Sequence, residues 1–293
     1  MLAFKTIKQI ALHIVFIALC ALVLYPFLLV VSVSMSNERE LVEYGYQLIP
    51  KSIDWSAYKF VFSNPKQIVD AYKVTAIFSF SYMFLSVTLM AGLAYVLSKR
   101  GLKGRRFVSL YIYFTTLFSG GLVPTYILNT QYLHLDDTIW IYIIPGLVVP
   151  WYVFMMRTFF QDIPYEITES ATIDGANEYV IFFKMMLPLS KPVLAAVALF
   201  MFLGKWGDWN TAMLYINKDE LISLQYLLQR IMENLRILQE NAMDMGFNIN
   251  VSDLPSESAR MAMAIVVAGP ALVIFPFFQK YFVKGLTVGS VKG

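Results

Sequence analysis

The chain has 293 residues, of which 58% are hydrophobic and 15% charged, with a net charge of +3 and a mean hydropathy of +0.60. Soluble domains carry about one quarter charged residues, so this composition excludes a water-soluble globule and indicates an all-α integral membrane protein. A single cysteine rules out an internal disulfide, the two distant histidines (His13 and His134) support no metal site, and no nucleic-acid partner is expected.

A helix needs about 20 apolar residues to cross the hydrocarbon core. Six segments meet that length, at 10–34, 74–97, 107–128, 138–157, 193–216 and 261–282. The first is read as a retained span, because the run from Ile10 to Ser34 is too long for a signal-peptide core and no small-residue cleavage site follows. Leu19 before Cys20 is too large for a lipoprotein signal. With no internal repeat and no Gly/Ser or Pro-rich linker, 1–293 reads as a single membrane domain.

The connection between the second and third spans holds Lys99, Arg100, Lys103, Arg105 and Arg106, whereas the next holds Asp136 and Asp137 and no Lys or Arg. Basic loops stay in the cytoplasm, which puts both termini there and the segments 35–73, 129–137 and 217–260 outside. Counting span ends with the side they adjoin, the inside segments hold 13 basic and 5 acidic residues, the outside ones 9 and 14.

Breaks at Gly120-Gly121 with Pro124, Pro145-Gly146 with Pro150, and Gly269-Pro270 with Pro276 read mainly as aids to helix packing. The cytoplasmic stretch 162–188 reads as two short helices at an angle. Asp162 is placed to cap the first, which runs to about Asp174 and stops at Gly175. The second, Asn177 to Met186, has Phe182, Phe183 and Met186 as its apolar set and ends at Leu187-Pro188. Small residues at Ser170, Ala171 and Ala176 leave room for a partner, although an interfacial loop with no partner fits the same pattern.

The fifth span contains the polar break Gly204-Lys205-Trp206-Gly207-Asp208-Trp209-Asn210. Lys or Asp at a lipid-facing helix centre costs about 2.5–3.5 kcal/mol each. At i,i+3, Lys205 and Asp208 can pair with each other. Alternatively Trp206, Trp209, Asp208 and Asn210 line a sugar pathway, the rings lying under sugar C–H faces and the polar groups meeting hydroxyls. Lys205 would then suit an anionic sugar. Beyond this span, Leu221, Leu224, Leu228, Ile231, Leu235 and Leu238 form one helical stripe. The polar segment 239–258 follows it. A helix lying on the membrane surface would account for the stripe.

Glu169-Ser170-Ala171, three residues, Gly175, nine residues, Met185, one residue and Leu187-Pro188 resemble the EAA loop of the membrane subunits of bacterial ABC importers. The family pattern has Ala where Ser170 stands and Ile where Met185 stands. The ending FPFFQKYFVKGLTVGSVKG resembles the carbohydrate-uptake branch and its oligosaccharide group, in particular the permeases of alginate importers. The resemblance implies a type I ABC importer permease in the bacterial inner membrane, forming half of a pathway for an oligosaccharide, one such as acidic alginate. It implies a coupling helix, with Glu169, Ser170, Ala171, Asp174, Gly175, Leu187 and Pro188 docking on an ATPase. It further implies a homologous permease, two ATPase subunits that bind the ATP and Mg2+, and a solute-binding protein that meets the loop 217–260. Trp209-Asn210 matches a Trp-Asn pair of sugar permeases. The chain has no phosphate-binding G-x-x-x-x-G-K-[ST] loop of its own, so it is not expected to be an enzyme. The alternative is an ATP-independent carrier or channel, for which an internal repeat and more intramembrane charges would be expected.

Overall fold

The computed structural model describes residues 2–244 and 256–289, most of them in helices. Among these residues the one β interaction is an isolated bridge between Ser36 and Ile53. Helices satisfy every backbone polar group within the segment, which hydrocarbon requires. The order is α1 (Leu2–Ser34), α2 (Glu38–Tyr44), α3 (Ser56–Val61), α4 (Pro65–Ser98), α5 (Arg105–Leu117), α6 (Leu122–Ile127) continued by a π turn (Leu128–Tyr132), α7 (Trp140–Ile143) and α8 (Pro150–Gln161). Then come α9 (Tyr165–Ile173), α10 (Glu178–Ile181), a second π turn (Phe182–Met186), α11 (Leu187–Leu189), α12 (Lys191–Trp206) and α13 (Asn210–Tyr215). A 3-10 turn (Asp219–Leu221), α14 (Leu224–Asp244) and α15 (Glu257–Gly289) complete the chain.

Three stretches are long and apolar enough to cross a bilayer unbroken: Lys8–Ser34, Pro65–Ser98 and Glu257–Lys280. They overlie the expected spans 10–34, 74–97 and 261–282. The other three expected spans are broken. Arg105–Leu117 and Leu122–Tyr132 meet at 113°, about Gly121 at φ +87, a conformation that a Cβ disfavours. In 138–157 the chain leaves α7, turns at Gly146 (φ +77) and re-enters a helix at Pro150. The Tyr82 hydroxyl donates to the Gly146 carbonyl at 2.6 Å, supplying a partner that the broken helix lacks. The span 193–216 is interrupted between α12 and α13. The Gly-Pro sites at 120–124 and 145–150 thus redirect the main chain, whereas α15 runs on through Pro270 and Pro276.

The chain divides into two compact units, Met1–Ile68 with Leu228–Pro270, and Val69–Leu227 with Ala271–Gly293. In the first, the apolar residues of α1 point outward on all sides, Ile17 and Leu22 among the most exposed, as suits a helix surrounded by lipid or by another chain. The same unit has a buried carboxylate. Glu38, 6% exposed, accepts from Ser256 Oγ (2.9 Å), Glu257 N (2.9 Å), Ser258 N (3.1 Å) and Ser258 Oγ (2.6 Å). It therefore caps the first turn of α15 from a distant part of the chain, satisfying N–H groups that have no intrahelical partner. Burial alone would raise its pKa. The bonds led by the Ser258 hydroxyl outweigh that and hold it below the usual carboxylate range.

A depressed folded-state pKa stabilises above the unfolded value and loses that contribution as pH falls through the folded one. Glu38→Gln is accordingly expected to lower stability at neutral pH by roughly 1–3 kcal/mol. It should also flatten the decline in Tm below the ordinary glutamate pKa. Calorimetry of the purified chain at neutral and acid pH checks both.

In the second unit the core is built on α4, α8 and α12. Ala91 and Ala94 of α4 bring helices close, around Met90, Val153, Met156 and Val197. The stripe expected beyond the fifth span is largely present: Leu224, Leu228 and Leu235 are buried. Leu221 falls instead in the 3-10 turn before α14, and Leu238 is 58% exposed. Much of the polar segment after the stripe, 245–255, lies outside the described residues.

Candidate functional site

Two places answer the sequence expectations, both in the second unit. The first is 162–188. Asp162 closes α8, its N–H bonding to the Thr158 carbonyl, and α9 starts after Pro164 with no side-chain cap. The expected cap at Asp162 is therefore corrected: two residues separate it from the helix, and they carry the turn.

The end of α9 follows the expectation closely. Asp174 is its C-cap, Gly175 has φ +80, Gly175 N–H bonds to the Thr172 carbonyl (3.1 Å) and Ala176 N–H to the Ala171 carbonyl (2.9 Å). These two reversed bonds define a Schellman cap, which needs the left-handed residue that Gly supplies at least cost. A Cβ on Gly175 would meet nothing within 4 Å, so backbone conformation rather than crowding selects glycine. Ala171 is buried, 4% exposed, against Tyr95, Phe160, Ile181 and Met186. Glu169, Ser170 and Asp174 are exposed, leaving polar groups open to a partner on a helix fixed from within.

Asn177 caps the second arm, its Oδ1 accepting from Val180 N at 2.9 Å. Glu178 ties this arm to the end of α4, pairing with Lys99 and accepting from the Tyr95 hydroxyl at 2.7 Å. Those bonds, Lys99 first and Tyr95 second, hold its pKa below the ordinary glutamate value. One expectation changes here. Phe182 and Met186 are buried, but Phe183 is 55% exposed, because the π turn Phe182–Met186 rotates the helix face by part of a turn. Leu187-Pro188 ends the helix as expected, within one residue: it stops at Leu189, and the chain bends at Ser190. The segments Glu178–Leu189 and Lys191–Trp206 meet there at 81°. Leu187 is half-buried against the core and Pro188 is exposed.

The second place is the break between α12 and α13. Lys205 Nζ lies 2.9 Å from Asp208 Oδ2, with side chains 13% and 15% exposed, and 4.9 Å from the centre of the Tyr82 ring. Asp208 also accepts from Thr211 N (3.0 Å) and Thr211 Oγ1 (2.7 Å) in the first turn of α13. Its carbonyl accepts from Ser223 Oγ at 3.1 Å. Nearby, Tyr142 stacks on Phe78 at 4.2 Å and donates to the Leu221 carbonyl at 2.8 Å.

Both charges thus have partners within the protein, as the self-paired reading requires. Trp206 is 6% exposed, between Phe202 and Tyr72 with centroids at 5.5 and 6.4 Å; it offers no open ring face for a sugar. Trp209 is half-buried and Asn210 exposed. The five residues share one break but do not form one platform.

Sequence reasoning passed over Glu178 and Tyr82 and used Asp137 only as a mark of an outside connection. Asp137, at φ +50, accepts from Asn217 N (2.5 Å) and Lys218 N (3.0 Å), fastening the turn after the first π segment to the chain beyond α13. The Asn217 N–H above all keeps its pKa low. Its position in an acidic, Lys-free connection was the available signal; its partners, some 80 residues away, were not.

Comparison with known proteins agrees with this fold. A family described as "Binding-protein-dependent transport system inner membrane component" matches residues 72–288. The chain is 36% identical over 276 residues to Protein LplC of Bacillus subtilis (strain 168), covering 93% of this chain and 90% of LplC. It is 37% identical over 283 residues to the polygalacturonan/rhamnogalacturonan transport system permease protein YtcP of the same organism, covering 96% and 95%. One chain in the crystal structure of a bacterial ABC transporter involved in the import of the acidic polysaccharide alginate superposes with a TM-score of 0.78. That chain is 29% identical, and the match covers 95% of this chain and 97% of that one.

Proposed function

The chain belongs to the family of binding-protein-dependent transport system inner membrane components, and on that premise we propose that it forms half of the translocation pathway for an acidic oligosaccharide. It is a permease subunit of an ABC importer. In the proposed assembly it pairs with a homologous permease and with two ATPase subunits, which bind the ATP and Mg2+. A solute-binding protein delivers the sugar to its outer face. The acidic substrate draws its support from the similar importer, whose cargo is an acidic polysaccharide.

The observation that carries the coupling role is the two-sided α9. Ala171 anchors it to the core, the Schellman cap fixes its end, and Glu169, Ser170 and Asp174 are left for the ATPase. The basic turn Lys99–Arg106 and the 162–188 loop then lie in the cytoplasm, with both termini. Displacement of α9 is transmitted through α10 and α11, across the bend at Ser190, to α12 and the polar break at its far end. ATP-driven closure moves this lever one way and hydrolysis releases it, giving alternating access.

Reconstitution tests the proposal. With all partners present in vesicles, an oligouronide should stimulate ATP hydrolysis and accumulate inside, and a neutral oligosaccharide of equal length should do neither. Equal stimulation by the neutral sugar would reject the acidic substrate, and accumulation without the ATPase subunits would reject the mechanism.

A further inference from the structure

Beside α9 lies a cavity of about 720 Å3. Tyr165, Thr168 and Thr172 line one wall, and Lys99, Arg100 and Arg105 from the turn after α4 line the other. The spacing of 165, 168 and 172 puts these three on one helix face. Residues 166, 170 and 173 lie away from these three and are exposed, so a molecule in the cavity leaves Ser170 open to the ATPase.

The cavity has a surplus of positive charge. Its one carboxylate, Glu178, is engaged by Lys99. Among the described residues, neither Arg100 nor Arg105 has a carboxylate within ion-pair distance. Arg100 rests over the Tyr165 ring at 5.7 Å, which occupies a face of the guanidinium and leaves its N–H edge for hydrogen bonds. Thr168 and Thr172 donate back to the carbonyls of Tyr165 and Thr168 at 2.8 Å each. The two guanidinium groups are left as the principal charged donors. Phe160 and Ile163 add an apolar flank.

From this arrangement we infer that the cavity binds a phosphate ester, gripped by Arg100 and Arg105 between the α4 turn and α9. Paired guanidinium forks match phosphate oxygens in geometry as well as charge. An anionic phospholipid headgroup and a soluble organic phosphate share this chemistry. Either would brace α9 against the α4 end and so set how freely the coupling helix moves. The inference stands on the cavity and its charges; it does not depend on which sugar is transported.

The test uses the assembled importer in lipid nanodiscs of phosphatidylcholine with graded phosphatidylglycerol, and again with labelled glycerol 3-phosphate. The wild type should retain phosphatidylglycerol through purification, and R100Q/R105Q should lose it by about tenfold. If lipid retention is equal but glycerol 3-phosphate binds saturably to the wild type alone, the site stands and its ligand is soluble. K103Q/R106Q removes the same charge from the same turn without touching the cavity wall, and should bind as the wild type does. Loss as large in K103Q/R106Q would reduce the effect to general surface charge and overturn the site, as would equal binding of both ligands by R100Q/R105Q. The single variants R100Q and R105Q, each keeping one fork, provide the same comparison should the double variant fail to assemble. Each should bind more weakly than the wild type, and undiminished binding by both would overturn the site.

Discussion

Gly175→Val is expected to abolish substrate-stimulated ATP hydrolysis by the assembled importer while the chain still enters the membrane. At φ +80 a β-branched side chain strains the backbone by roughly 1–3 kcal/mol. Nothing crowds that side chain, so relief must come from the backbone itself. Returning residue 175 to negative φ breaks the bonds to the Thr172 and Ala171 carbonyls and redirects the second arm from Asn177 onward. The spans are made elsewhere, so insertion should be unaffected. Gly175→Ala should retain part of the stimulation, because alanine tolerates the left-handed region better than valine does. Glu169→Lys should abolish stimulation by a different route: Glu169 is exposed, and reversing its charge alters the docking face without straining the fold. Basal and stimulated ATPase rates, with chain abundance in membranes, check all three. Full stimulation in Gly175→Val and Glu169→Lys would remove the docking assignment.

The second large effect is expected at the polar break. Asp208→Asn should destabilise the chain by about 3–5 kcal/mol, because it leaves the Lys205 ammonium buried without a counter-charge. Lys205→Met in the same background should recover much of that loss, since an apolar replacement of a buried pair is often neutral. Thermal unfolding of the two single variants and the double variant measures the coupling directly. Transport then separates structure from recognition. If Lys205 also meets a uronate carboxylate, the stable double variant should lose oligouronide uptake. Unchanged uptake by Lys205→Met would leave Lys205 a purely structural partner of Asp208.

These two sites also mark what could be read in advance. The end of α9 was legible because a Schellman cap is local: Asp174, Gly175 and Ala176 carry it among themselves. The Lys205–Asp208 pair was legible for the same reason, at i,i+3. The apolar lengths revealed where helices run, but not that 107–128 turns through 113°, since Gly-Gly permits a turn without specifying its angle. Phe183 was misplaced because a π turn adds a residue to the helix repeat and leaves no clear local signature. The bonds of Glu38, Tyr82 and Asp137 were not legible because their partners are Ser258, Gly146 and Asn217, a long way off in sequence. Periodicity does not register such contacts. Trp206 was assigned to a pathway on its chemistry, and it is burial by Tyr72 and Phe202, a tertiary property, that closes its faces.

The central claim is that an ATPase takes hold of α9 from its outer face. With Cys20, the single cysteine of the chain, replaced by serine, cysteines can be placed one at a time at Glu169, at Thr168 and at Asp137. They can then be cross-linked in membranes that contain the whole importer. The account predicts cross-links to the ATPase subunit from position 169, few from the half-buried position 168, and none from 137, in the loop it places outside. Cross-links from 137 with none from 169 would contradict it.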